Sequence, residues 1–545
     1  MDLAPVIFGA QVLCCSRCGP ASALTRLAPF LLCPSGFGFS SMRWLLGWAA
    51  WILTAASAVG SSERINQEGR ILGAVPVVTN ATLFNTVQAD NLVSAMQILP
   101  VTSAWNEDVS RLPLLANSDA MIAQISADLA SSRRTLRAFQ EMNYVLVPDS
   151  QPMTPISFVD YPDESDPSPY PIPSSMPIET WPTGTGLLTL QQWQADVNNS
   201  GGDRHSIVVQ PGVGWIWETW QAQLVGTNWQ ASNGAKFDLK SNAMRPAGWT
   251  SGDAAGLPMF PALPRFDECE RGMVEHACRL VVYRTRKEYL YPANHWASTT
   301  AATQTNVPAM GQRLRLKSGF IIPNTWSVEE KAILRGLKKY GALVADNGGF
   351  FSISVTPDDR WPGSAFSHIS SVGITNFEVV QGTGPTQGPR SAGAPSASAG
   401  PDQTVGSNKS AQLAGYVNFT GARPAILWKL YSGPGAVTFA DVTQTNTMAS
   451  FAAAGKYVLM LSADDGTHAV AYDAVNITVT TQPVVSVSTS GAKLNLSWTG
   501  GASPYVVEQA SVSSTGPWVP ISTNLGSTLS VSHSNASGFY RVRSN

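Results

Sequence analysis

The stretch that most restricts how this chain can fold is residues 381–400, "QGTGPTQGPRSAGAPSASAG". It contains one charged residue, and every other position is Gly, Pro, Ser, Ala, Thr or Gln. Such a segment offers too little apolar surface to fold by itself. It therefore predicts a linker that follows a large body over residues 59–380 and precedes separate C-terminal modules.

The composition of the chain favours β-rich domains outside the cell. Only 13% of its residues are charged, against about 25% in an average globular protein. It also contains 46 Gly and 37 Pro, which suit a fold with many turns. The formal net charge is −2, without a basic run, which argues against nucleic-acid binding.

The N-terminus carries an export signal. From Met42 the chain reads "MRWLLGWAAWILTAASAVGSS", which has one Arg, an apolar run and small residues up to Ala58. This is the pattern of a secretory signal, although the run approaches the length of a retained membrane anchor. We predict that 1–58 is leader and signal, with the true start at Met42. The mature protein is then secreted or held at the cell surface, without membrane contact.

The body reads as mainly β with a few helices. Ser327 and Glu330 form a capping box before an apolar stripe, and Gly341 supplies the stop, so a helix is predicted there. A second helix is predicted over 118–140. Strands are predicted at "HSIVVQ", "GWIWETWQAQ", "AKFDLK", "CRLVVYRT", "RLRLKSGF" and "FFSISV". We expect these strands to form a jelly-roll-like β-sandwich.

Two small β-sandwich modules are predicted after the linker. Residues 401–481 show short alternating strands, with Trp428 on a central strand, a Ser432-Gly433-Pro434 turn, and a strand from Gly455 to "DDG" at 464–466. They resemble a polycystic-kidney-disease-type (PKD) immunoglobulin-like module, which implies a spacer or a weak binding role. Residues 482–545, with "AKLNLSWTG" and "SGFYRVRSN", resemble a fibronectin-type-III-like module.

Only two cysteines follow the predicted signal, Cys269 and Cys278. In an oxidising compartment one such pair predicts a disulfide, here closing a hairpin. The alternative is two free buried thiols.

The high density of Trp in the body favours a carbohydrate-binding function. Eight Trp lie within 215–361, and indole faces suit the apolar faces of sugar rings, although large aromatics also fill cores. The candidate substrate-binding residues are Trp215, Trp217, Trp220, Trp249, Trp296 and Arg245.

Glycoside cleavage needs two carboxylates, one on each side of the scissile bond. We predict Glu218 and Asp253 as this pair, with His276 and His295, on adjacent predicted strands, orienting the sugar. Asp267, Glu268 and Glu270 are further acidic candidates. The alternative constellation is a metal site formed by His205, His276 and His295 with Asp203 or Asp253.

Residues 159–182 are rich in Pro, with four acids near their start. Acids at 160–166 could hold calcium. The favoured interpretation is an extended strap whose path Pro fixes, and no cofactor is predicted.

The phrases "MRPAGWTSGDAAGLPMFPALPRFDE", "YPANHWAS", "MGQRLRLK" and "KKYGALVADNGG" resemble a group of secreted soil-bacterial proteins without an assigned activity, over about residues 150–380. The resemblance implies export from a bacterium and brings no catalytic residues. We expect a monomeric glycoside hydrolase acting on an extracellular, β-glucan-like polysaccharide. The alternatives are a non-catalytic carbohydrate-binding or matrix protein and a metal-assisted hydrolase.

Overall fold

The computed structural model describes residues 63–184, 188–195, 202–511, 514–532 and 538–544. The predicted leader and signal, 1–58, lies outside these ranges. Within them, no helix combines the length and the apolar character that a membrane span requires.

The α-helices of the described residues all lie in the body. The capping box is confirmed: Ser327 Oγ accepts from the Glu330 amide at 3.0 Å, and Glu330 accepts from the Ser327 amide at 3.1 Å. Gly341 adopts a positive φ of 65° just past this helix. The helices are α1 Val87–Ser94, α2 Ser118–Ala127, α3 Leu190–Gln194, α4 Phe266–Arg271 and α5 Val328–Lys339.

The second predicted helix, 118–140, is shorter than expected. It ends at Ala127, and Leu136–Gln140 form a strand that pairs in parallel with Phe351–Val355. Residues 136–140 form a strand in spite of their local helical pattern, because their backbone groups make hydrogen bonds with the distant Phe351–Val355 strand.

The body contains fourteen described strands. The predicted strands are all present, with ends shifted by a few residues. Their bounds are β1 Thr82–Leu83, β2 Leu136–Gln140, β3 Val145–Leu146, β4 Ile156–Phe158, β5 Ser206–Gln210, β6 Trp215–Trp220, β7 Gln223–Val225, β8 Asn228–Ala231, β9 Asn233–Asp238, β10 Cys278–Val282, β11 Arg313–Leu316, β12 Ala342–Asn347, β13 Phe351–Val355 and β14 Phe377–Val379.

Two large sheets share the main core of the body. Their strand orders are β1-β3-β5-β6-β9 and β14-β11-β12-β10-β13-β2. Ile207 and Ile216 of the first sheet join Leu280 and Ile353 of the second in one hydrophobic cluster, together with residues of α2 and α5. The opposite face of the first sheet packs under the 156–178 segment, where Trp217 and Tyr170 are buried.

The prediction of a mainly β protein with a few helices is confirmed. The strand order of the body differs from an antiparallel jelly roll, because β3–β5, β4–β8, β10–β12 and β2–β13 are parallel pairs. Parallel pairing needs long crossovers, which the intervening loops and helices supply.

The strands after residue 400 pair antiparallel, apart from one parallel pair in the first module, Gln403–Gly406 with Ala471–Thr480. Residues 401–481 place Trp428 and Tyr457 in a compact core. Residues 482–544 form two three-stranded sheets around Trp498 and Val507. The strands are β15 Ser396–Ser398, β16 Gln403–Gly406, β17 Ala411–Ala414, β18 Tyr416–Asn418, β19 Ala425–Ser432, β20 Val437–Phe439, β21 Asn446–Phe451, β22 Gly455–Asp464, β23 Ala471–Thr480, β24 Val484–Ser490, β25 Lys493–Thr499, β26 Tyr505–Ala510, β27 Val519–Asn524, β28 Thr528–Ser532 and β29 Phe539–Ser544.

Residues 381–400 differ from the unfolded linker that their composition predicts. The buried Arg390 guanidinium lies 2.9 Å from the buried Glu107 carboxylate of the body. Ser396–Ser398 pair with Tyr416–Asn418 in the following module. The segment is ordered because its neighbours supply the charged and backbone partners that its own composition lacks.

Candidate functional site

Ionisable side chains of both body sheets and of two loops form one buried group. We call this group the buried ionic cluster: Glu141, Glu179, His205, Glu218, Asp253, Arg279 and Asp346. Its members come from β6, β10 and β12, from positions next to β2 and β5, and from two loops. All but Glu141 and Asp346 are buried.

Arg279 connects the cluster across the second sheet. Its Nε donates to Asp253 at 2.9 Å and its Nη2 to Asp346 at 2.6 Å. Nη1 donates to the Ser354 hydroxyl at 3.3 Å, and that hydroxyl donates to Glu141 at 2.7 Å. Burial raises the pKa of Asp253 to about 6, in spite of the opposing Arg279 charge.

His205 is a buried cation in this arrangement. Its Nδ1 lies 2.9 Å from Glu179 and its Nε2 lies 2.6 Å from the Gly252 carbonyl, so both ring nitrogens face acceptors and both carry protons. Burial lowers its pKa, but the charge and hydrogen bond of Glu179 outweigh this and raise it to about 9. The imidazolium holds Glu179 ionised, since it lowers that pKa against the effect of burial.

Glu218 points into the core and not into a groove. Side chains alternate along a strand, so Glu218 shares the face of Ile216, which belongs to the main core. Its carboxylate accepts from the amides of Met259 at 3.0 Å and Phe260 at 2.9 Å. The residue is 0% exposed, and burial raises its pKa to about 7.

Two of the predicted catalytic residues do come together. The charge of Asp253 acts on Glu218, and Gly252, the residue before Asp253, lies beside the Glu218 side chain. Asp253 is 1% exposed, however, so neither carboxylate meets solvent. Glu141 has a raised pKa of about 7 as well, caused by burial and then by the Glu179 charge.

An aromatic surface lies on the loops above Asp253. We define it as Tyr289, His295 and Trp296, whose rings are stacked. The Tyr289 and Trp296 ring centres lie 5.6 Å apart with planes that differ by 14°, and the His295 and Trp296 centres lie 6.4 Å apart with planes that differ by 4°. His295 Nδ1 bonds the Ala254 carbonyl at 2.7 Å. Trp296 is 36% exposed.

The aromatic surface and the cluster meet at the end of β12. Asn347 donates to the Ala297 carbonyl at 2.7 Å, which ties the strand end to the residue after Trp296. The neighbouring Asp346 side chain is 24% exposed. The loop of Trp296 is therefore joined to the end of the strand that carries Asp346, whose carboxylate binds Arg279.

His276 belongs to a different group. Its Nε2 lies 3.1 Å from Glu268 and its Nδ1 lies 2.9 Å from the Ala277 carbonyl. Burial opposes ionisation of Glu268, but Arg265 and then His276 lower its pKa to about 2. The prediction that His276 and His295 lie on adjacent strands is wrong, because both lie in loops.

Cys269 and Cys278 are free, buried thiols, which corrects the predicted disulfide. Cys269 lies in α4 and Cys278 begins β10, so the segment between them is a helix end and a turn, not a hairpin. Burial raises the pKa of both thiols.

The other predicted sugar-binding residues serve mostly as packing. The Lys236 ammonium lies 3.6 Å from the Trp215 ring centre and 4.6 Å from that of Trp217, on the covered face of the first sheet. Trp220 packs near Tyr161, with ring centres 6.2 Å apart. Trp249 is half-buried beside Arg245, which is itself buried and ion-paired with Asp166 at 2.8 Å.

The strap interpretation of 159–182 agrees with the contacts of its acids. Asp160 accepts from Ser232 at 2.5 Å, and Glu164 accepts from the Thr250 amide at 2.9 Å. No group of three or more His, Cys, Asp or Glu in the described part of the chain is arranged to hold a metal ion.

Sequence reasoning missed Arg279, Asp346, Glu141, Glu179 and Tyr289. The first two carried a signal: each is a charged residue inside an apolar strand, "CRLVV" and "ALVADN", and such charges are almost always paired. Glu141 and Glu179 lie in irregular segments, where no pattern marks them.

Comparisons with known proteins identify one module. Residues 399–479 match a family model described as a PKD domain. This segment is a PKD domain. The solution structure of the PKD domain from KIAA 1837 protein is 24% identical, with a TM-score of 0.14, and the match covers 16% of this chain and 89% of that chain. PKD and immunoglobulin-like domains are typical of extracellular or adhesion proteins.

Immunoglobulin-like structures also match. The crystal structure of DIP-gamma IG1+IG2 is 13% identical, with a TM-score of 0.16, over 28% of this chain and 90% of that chain. The N-terminal eight Ig domains of Down Syndrome Cell Adhesion Molecule isoform 1.30.30 are 11% identical, with a TM-score of 0.18, over 28% of this chain and 27% of that chain. Comparison with curated proteins found no match.

Proposed function

We propose that this protein is an extracellular glycan-binding protein that holds sugar rings on the aromatic surface of Tyr289, His295 and Trp296. The observation that carries the proposal is the exposure of Trp296, which is 36% exposed and is held in place by its stacking with Tyr289 and His295. Flat aromatic faces take up the apolar faces of sugars, and a few polar groups beside them fix orientation. Asp346 supplies an acceptor for sugar hydroxyls at the edge of this surface.

The PKD domain supports the extracellular part of the proposal, since such domains are typical of proteins outside the cell. Secretion through the signal at 42–58 and a bacterial source are further parts of it. The fibronectin-type-III-like resemblance of 482–545 fits a chain of spacer modules that presents the body at a distance from its attachment point.

Glycoside hydrolysis is the second candidate. It is favoured by Glu218 and Asp253, which lie near enough for the charge of one to act on the other, and whose pKa values of about 7 and about 6 suit proton transfer near neutral pH. It requires the 252–262 loop to move, because both carboxylates are buried in the described state. Binding needs no such movement, and we therefore place it first.

The test is retention of the purified chain on a panel of soluble and insoluble polysaccharides. Trp296→Ala should weaken binding by about 30-fold, which is the size expected for an exposed aromatic anchor worth ~2 kcal/mol. Tyr416→Ala is the matched control, because Tyr416 is 64% exposed and lies in the PKD domain. Unchanged retention of Trp296→Ala, or retention on no glycan, would reject the proposal.

The same panel separates binding from hydrolysis. New reducing ends released by the wild type, and lost in both Glu218→Gln and Asp253→Asn, would favour the hydrolase. Release that survives both substitutions would reject those two residues as the catalytic pair.

A further inference from the structure

Arg313 is a buried arginine without an acidic partner. It lies at the start of β11, is 4% exposed, and forms no ion pair with the described residues. Its Nη2 donates to the Ala104 carbonyl, while its Nη1 has no hydrogen-bond partner. Burial lowers its pKa to about 10, so the guanidinium remains charged at neutral pH.

Arg204, which is also buried, donates to the Ala222 and Trp193 carbonyls. Four further arginines with buried guanidinium groups are paired with acids. Each binds a carboxylate within 2.9 Å, as buried charges are expected to do. These pairs are Arg245 with Asp166, Arg265 with Glu268, Arg279 with Asp253 and Arg390 with Glu107. A buried guanidinium without a carboxylate partner is costly, and an anion from outside the chain is one way to balance its charge.

The Arg313 side chain lines a cavity of about 210 Å³ between β11, the 290–292 turn and the 382–384 loop. Gln312, which is 2% exposed, also lines the cavity, and its Oε1 has no partner. Leu112 and Leu343 contribute apolar wall. Two neighbouring lining residues, Gln312 and Arg313, therefore each carry one buried side-chain atom without a hydrogen-bond partner among the described residues.

The one acidic residue that lines this cavity, Glu107, already has partners within the chain. Glu107 lies 2.9 Å from Arg390 and accepts from the Thr383 hydroxyl at 2.7 Å. Because Arg390 neutralises the charge of Glu107, the positive charge of Arg313 is not neutralised by a lining residue, and the cavity carries a net positive charge.

We propose that this cavity binds a small organic carboxylate that also carries a hydroxyl or amine donor. The carboxylate pairs with Arg313, as guanidinium groups pair with planar anions in two hydrogen bonds. The donor of the ligand serves Gln312 Oε1, and its short carbon skeleton meets Leu112 and Leu343. The cavity is about seven times the ~30 Å³ that one water occupies, which admits an acid of a few carbons.

The experiment is isothermal titration calorimetry of the full chain with three probes: lactate, propionate and inorganic phosphate. Lactate should bind saturably at one site, and propionate, which lacks the hydroxyl, should bind about fivefold more weakly. Arg313→Gln should weaken lactate binding by at least about tenfold. Arg284→Gln is the control that should bind normally, since Arg284 is paired with Asp128 away from the lining residues.

Leu112→Trp is the second variant, because it fills the cavity from a half-buried position without touching the charge. It should abolish lactate binding, and it decides the question if Arg313→Gln does not fold. No saturable heat with any probe, or lactate binding that survives Leu112→Trp, would overturn the site. Tighter binding of phosphate than of lactate would overturn the carboxylate class.

Discussion

Replacing Glu218 by Gln tests whether a carboxyl is held protonated in the core. The residue is 0% exposed, and its pKa is raised by burial from 4.5 to about 7. Gln keeps the shape and an oxygen for the amides of Met259 and Phe260, but it cannot ionise.

The direction and size of the expected change in the free energy of unfolding follow from the difference between the pKa of Glu218 in the folded chain and in the unfolded chain. A carboxyl with a raised folded pKa stabilises the native state while it is protonated, below pH 4.5, and this stabilisation is lost as the pH rises through 7. The difference from 4.5 to about 7 corresponds to about 3 kcal/mol. The wild type should lose this amount between pH 4.5 and 8.5, and Glu218→Gln should not.

The assay is urea unfolding at five pH values across that range, with the free energy of unfolding compared between the two proteins at each pH. Other groups titrate in both chains, so the difference isolates Glu218. Glu268→Gln is the matched control, since Glu268 is equally buried but has a pKa of about 2. Its difference from the wild type should stay constant to within about 0.5 kcal/mol.

A difference between Glu218→Gln and wild type that does not change with pH would refute the reasoning. It would mean that the carboxylate is ionised throughout and stabilised by the two backbone amides. If the wild type instead became more stable relative to Glu218→Gln as the pH rises, the pKa of Glu218 would be lowered and not raised in the folded chain.

Arg279→Met should destabilise the body by about 3–5 kcal/mol in urea unfolding, because Asp253 is left buried without its cation; Asp253→Asn in the same chain should recover part of the loss, and no recovery would count against the pairing. Ser327→Ala should cost about 1 kcal/mol through loss of the cap of α5, measured the same way. Alkylation without reductant, read by peptide mass, should label Cys269 and Cys278 only after denaturation; failure to label them in denaturant would show that they are oxidised.

Local patterns predicted some of the elements correctly. The cap of α5 depends on Ser327 and Glu330, three residues apart, so the sequence contains the whole interaction. The PKD domain is recognisable because its short strands alternate with turns at short spacing and Trp428 lies on a central strand. The strand at Leu136–Gln140 was missed because its partner, Phe351–Val355, lies more than two hundred residues away.

The candidate site shows the same limit. Glu218 and Asp253 are predicted as a pair from their residue types. The charge of Asp253 does act on Glu218, but the face of β6 that carries Glu218 forms part of the hydrophobic core. Nothing in "WIWETW" tells that both of its faces are covered. The second sheet covers the face of Glu218 and the 156–178 segment covers the face of Trp217, and both come from segments outside this strand.

Composition and neighbours a few positions apart were enough to indicate the β-rich class, the PKD domain and the capped helix, because these features depend only on local sequence. The tertiary structure alone decided which charges are buried and with which partners. Arg279 joins Asp253 and Asp346, Arg390 takes Glu107, and Arg313 is left with a cavity. Burial and ion pairing depend on distances through space, and these arise only when remote segments pack together.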